Sequence, residues 1–74
     1  MTASEFKYMT EAMSVDLAEL LSTDLGMDIE TALDTLYNST TYARLTDPAT
    51  GLYFQSSGYV YSFLKNEVMT GKIA

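Results

Sequence analysis

From Phe6 to Leu21 the apolar positions Phe6, Met9, Met13, Leu17, Leu20 and Leu21 recur at intervals of three and four, while Glu5, Asp16 and Glu19 fall to the other side. The pattern predicts a helix over residues 4–25, with Ser4 as its N-cap and Gly26 as the left-handed residue that ends it. Asp24 interrupts the stripe, which points to a frayed or solvent-facing last turn. Met9 and Met13 read as gap-filling core, since an unbranched thioether adapts to irregular spaces.

A second, shorter helix follows. Asp28 caps it, and Ile29, Ala32, Leu33, Leu36 and Tyr37 match the i, i+3, i+4, i+7, i+8 pattern, with Glu30 favoured in the first turn by the helix dipole. Asn38-Ser39 then breaks the periodicity, and Ser39 is placed to cap a short turn through Leu45 that turns Tyr42 and Leu45 inward and Arg44 outward. Asp47-Pro48-Ala49-Thr50 suits a type I turn, followed by Gly51, which is free to take positive φ.

Leu52–Gln55 is strand-like by composition but only four residues long. Beyond it, Ser56 or Ser57 caps a last helix in which Val60, Phe63, Leu64 and Val68 share a face, ending near Gly71 with Lys65 and Lys72 towards its negative end. The competing assignment pairs Leu52–Gln55 with Tyr59–Phe63 as a β-hairpin, giving an α+β fold with a hairpin at 52–63. The helix is preferred, because Leu64 to Val68 extend the helical period and not the alternating one. The expected fold is all-α, a single domain over residues 1–74: a small antiparallel bundle of three main helices plus one short helical turn.

Length and composition sharpen this picture. A chain of 74 residues supports one small core, and with no Cys and no His neither a disulfide nor a zinc site is available as a staple. Association with a protein partner, or with itself as a homodimer, is therefore expected. The net charge of −6 is concentrated: residues 1–34 hold eight carboxylates and one lysine, and the remainder is nearly neutral and aromatic. Such an acidic half repels phosphate backbones and disfavours nucleic acid. The first fifteen residues lack the continuous apolar region of a secretory signal, and no apolar run is long enough to span a membrane, so a cytoplasmic protein is expected.

Chemistry is poorly supplied. The usual general base and the strongest nucleophile are both missing, so no catalytic residue, cofactor or metal site is assigned and an enzyme is not expected. Asp47 to Gly51 superficially suits a calcium loop, but Ala49 and Gly51 stand where oxygen ligands belong. Residues 15–37 have the order of a helix-turn-helix, which makes a DNA-binding regulator the alternative function. Its second helix, however, carries Asp28, Glu30 and Asp34 and no basic residue. The feature left with functional content is the aromatic segment, where Tyr53, Phe54, Tyr59 and Tyr61 are the candidate interaction residues.

The runs Leu36-Tyr37-Asn38-Ser39, Thr46-Asp47-Pro48, Thr50-Gly51-Leu52-Tyr53-Phe54-Gln55-Ser56 and Tyr59-Val60-Tyr61 resemble a group of short, functionally uncharacterised bacterial helical proteins. These share an Asp-Pro-x-Thr-Gly-Leu-Tyr loop and a Tyr-rich last helix. The resemblance spans about residues 28–68 and implies a helical C-terminus and a bacterial cytoplasmic setting beside toxin-like or regulatory partners. It brings no site residue with it. The function expected is a non-enzymatic protein-interaction or regulatory module, the small antitoxin-like member of a protein pair.

Overall fold

Four helices form in order along the described residues: α1 (Ala3–Leu25), α2 (Ile29–Tyr37), α3 (Thr40–Leu45) and α4 (Ser57–Thr70). Two 3-10 turns, Pro48–Thr50 and Leu52–Phe54, connect α3 to α4. The computed structural model describes residues 2–71, so Lys72 lies outside the described residues.

Each helix starts where a side-chain oxygen meets an otherwise unpaired backbone N–H. Asp28 Oδ1 accepts from the Thr31 amide at 2.7 Å, Ser39 Oγ from Tyr42 at 3.0 Å and Ser56 Oγ from Tyr59 at 3.1 Å. At α1 the cap is Thr2, not Ser4: Thr2 Oγ1 accepts from the Glu5 amide at 3.1 Å. The sequence Thr2-x-x-Glu5 has the spacing of a capping box, and it sets the start earlier than the serine does. Gly26 ends α1 at φ 72°, in the left-handed region that a residue with a Cβ resists, and the chain turns back there into α2.

The described residues contain no strand, which removes the hairpin at 52–63. Leu52–Phe54 close into a 3-10 turn through Phe54 N–H to Gly51 O at 3.1 Å and Gln55 N–H to Leu52 O at 3.0 Å. Backbone groups spent on local bonds offer no edge to a second strand, and the Ser56 cap commits Tyr59–Phe63 to helix.

At 23 residues α1 is about 35 Å long by its rise, which matches the longest dimension of the fold, 35 × 24 × 19 Å. It is the spine against which α2, the second 3-10 turn and α4 pack. Leu17, Leu21, Leu36, Leu45, Val60 and Leu64 are wholly inaccessible to water where these elements meet. Each such side chain contributes about 1.5–3 kcal/mol by leaving water. Thr10 and Ser14 are buried too, against what their polarity suggests, because each hydroxyl donates to α1's own backbone: to Lys7 O at 3.0 Å and Thr10 O at 2.7 Å. No helix among the described residues is long and apolar enough to cross a membrane.

Candidate protein interface

The four candidate aromatic residues do not form one surface. Tyr61 is buried in the core, and its hydroxyl donates to Asp24 Oδ2 at 2.7 Å. Lys65 Nζ reaches the same oxygen at 2.9 Å. The last turn of α1 is thereby tied to α4 through Asp24, and is neither frayed nor merely solvent-facing. The bonds from Tyr61 and Lys65 hold the Asp24 carboxyl below its ordinary range. Burial, together with the neighbouring carboxylate, pushes the Tyr61 phenol up to about 12.

Tyr53 is also drawn inward, half-buried against the core. Its ring meets the edge of Phe6 with centroids 4.9 Å apart, and lies 4.3 Å from Phe54 at a tilt of 33°. That leaves Phe54, 65% exposed, and Tyr59, 50% exposed, as the outward members of the group. Tyr59 itself leans edge-on to Phe63, with centroids 5.1 Å apart.

A broader apolar face lies elsewhere, across α1 and α2. Val15 is 56% exposed, Ile29 55% and Tyr37 53%. Glu11, Ser14, Val15, Leu33, Tyr37 and Tyr42 line one depression of about 400 Å³. Tyr42 and Tyr37 pack edge to face there, centroids 5.1 Å apart, so the depression has a stiff aromatic wall. On α2, Ile29, Leu33 and Tyr37 follow one another at i, i+4 and i+8, and on α1 the exposed Tyr8 stands seven residues before Val15 on the same side.

Carboxylates accompany this face. Glu11, Glu30 and Asp34 are exposed, and Lys7 makes only a long 3.9 Å contact with Glu11 between two highly exposed side chains. A pair of that kind contributes little. The face is therefore apolar in its centre and negative at its edge.

The sequence contained a signal for this surface. The apolar positions of α2, from Ala32 through Ile29 and Leu33 to Tyr37, cover an arc of roughly 140°, more than one packed neighbour conceals. Only Ala32 and Leu36 are fully buried, and Ile29 and Tyr37 are left outside. Val15 gave no such signal, since it sits across α1 from the Met13–Leu17 stripe. It becomes part of the face only because Thr10, Ser14 and Ala18 form a second buried row beside it.

Among the described residues no three carboxylates converge in a way that would hold a metal ion. The helix that a DNA-binding reading would place in the major groove, α2, presents exposed Asp28, Glu30 and Asp34. Comparison with known protein families, characterised proteins and solved structures finds no match to this chain.

Proposed function

We propose that this protein is a non-enzymatic interaction module, the small regulatory, antitoxin-like member of a cytoplasmic protein pair, and that it docks its partner on the α1–α2 face. The observation that carries this reading is the exposure of Val15 and Tyr37 on one depression, lined also by Glu11, with Ile29 exposed on the same side of α2 as Tyr37. Exposed apolar surface that is contiguous and rimmed by polar groups is a common mark of protein–protein contact.

The charge favours one of two kinds of partner. Two-fold self-association through this face would bring Glu11, Glu30 and Asp34 of one copy close to the same groups of the other, and like charges at an interface are costly. A different protein, with an apolar ridge flanked by Lys or Arg, complements it. Self-association through the aromatic segment loses support for another reason: Tyr61 is already used by the core and Tyr53 is half-buried against it. The acidic exposed face of α2 likewise weighs against the DNA-binding alternative.

The test is affinity capture from the source cells with three tagged proteins: the unaltered chain, Val15→Asp/Tyr37→Asp, and Phe54→Ala/Tyr59→Ala. All the altered positions are exposed, so circular dichroism should stay helical. The reading expects a partner that is retained by the first and third proteins and lost by the second. A partner lost only by the third moves the interface to the aromatic segment, and a chain that captures nothing overturns the proposal.

A further inference from the structure

A second concavity, away from the α1–α2 face, lies between α3, the 3-10 turns and α4. It encloses about 220 Å³ and is lined by Thr41, Arg44, Thr50, Leu52 and Phe63. Its polar groups are unequally engaged. Thr41 Oγ1 donates to Glu67 Oε1 at 2.8 Å, and Thr50 Oγ1 donates to Arg44 O at 2.6 Å, so both hydroxyls are occupied by the fold. The Arg44 side chain makes no ion pair and no hydrogen bond among the described residues. It is the one described cation without an anionic partner, in a chain of net charge −6, where carboxylates to pair with are plentiful.

From this arrangement we infer that the concavity is a binding site for a small organic acid, one carboxylate carried on a single ring or a short branched chain. The size sets the apolar part: cavities of about 150 Å³ hold a benzene ring, and drug-sized ligands need about 300 Å³ or more. A volume of 220 Å³ falls between these, which fits a ring with one substituent. Leu52 and Phe63 supply the apolar walls, and Tyr59 braces Phe63 from outside with its ring edge-on. Arg44 supplies the polar anchor, since a guanidinium is a planar fork of donors that matches a carboxylate in a bidentate pair. Glu67, which bonds Thr41 of the lining, is already held by the Thr40 and Thr41 amides at 2.7 and 3.0 Å, and Asp47, three residues after Arg44, accepts from the Ala49 amide at 3.0 Å, so neither pairs with Arg44.

Titration of the full-length protein with phenylacetate, followed by amide chemical shifts, tests the site. Phenylacetamide and inorganic phosphate serve as the two controls. Saturable shifts at Thr41, Arg44, Leu52 and Phe63 are expected, with a dissociation constant on the order of 1 mM for a ligand of this size. The amide should bind about tenfold more weakly, as should phenylacetate to Arg44→Gln, a change at an exposed and unpaired position that leaves the fold intact. Equal binding of acid and amide, shifts unaltered by Arg44→Gln, phosphate matching phenylacetate, or no saturation at tens of millimolar would each overturn the assignment. Arg44 lies outside the α1–α2 face, so the result is independent of whether a protein partner docks there.

Discussion

Glu67, near the end of α4, caps the N-terminus of α3, which lies twenty-seven residues earlier in the chain: its carboxylate accepts from the Thr40 amide at 2.7 Å, and from the Thr41 amide and hydroxyl at 3.0 and 2.8 Å. A six-residue helix has little intrinsic stability, so donors satisfied from across the fold matter to it. Glu67→Ala should cost about 1–2 kcal/mol in urea denaturation at neutral pH.

The same contact predicts an acid dependence. Burial raises the Glu67 pKa, but the Thr40 and Thr41 bonds outweigh it and leave the carboxyl below its ordinary range. A carboxyl whose folded pKa is depressed stabilises the fold above its unfolded value, about 4.3, and that contribution is lost as the pH falls through the folded value. Glu67→Gln should therefore flatten the acid limb of the stability profile, measured by denaturation between neutral pH and pH 3. An unchanged limb would assign it to other carboxylates.

At the alkaline end Tyr61 contributes a pH dependence of its own. Its phenol is raised from 10 to about 12 in the fold, so the unfolded chain releases this proton first and stability falls across that interval. Tyr61→Phe removes the titrating group along with the bond to Asp24. At neutral pH it should cost about 1 kcal/mol, and its decline between pH 10 and pH 12 should be shallower than that of the unaltered protein.

Core and surface aromatic or aliphatic positions should respond very differently to truncation. Leu64 is wholly buried, so Leu64→Ala should cost about 2–5 kcal/mol, a large share of the stability of so small a domain. Phe54→Ala, at an exposed ring, should change the unfolding free energy by about 0.5 kcal/mol or less. A large loss at Phe54 would mean that its contact with Tyr53 is part of the core.

Two glycines should behave with opposite sign. A Cβ at Gly26 would meet nothing within 4 Å, so the cost of Gly26→Ala is that of the left-handed backbone alone, about 1–2 kcal/mol. Gly58 lies within α4 with equally open space and no positive φ, so Gly58→Ala should raise stability by about 0.4–1 kcal/mol. Thermal unfolding of the two variants checks both signs at once.

Local chemistry was largely legible in the chain itself. The helix periods, the caps at Asp28 and Ser39, and the breaks at Gly26 and Gly71 all depend on residues within one turn of each other, so spacing alone identified them, while for the last helix spacing offered both Ser56 and Ser57 and the fold uses Ser56. The strand-like look of Leu52–Gln55 misled, because aromatic composition reports a half-buried surface and not a backbone conformation. Contacts between distant segments could not be read in this way. That Asp24 meets Tyr61 and Lys65, that Glu67 meets Thr40 and Thr41, and that Arg44 is left without an acid all follow from how α4 lies against α1 and α3. Tertiary packing likewise divided the tyrosines. A tyrosine's large apolar body and polar tip suit core and interface equally, and only the position of its neighbours sent Tyr61 inward to a carboxylate and left Tyr37 and Tyr59 in solvent.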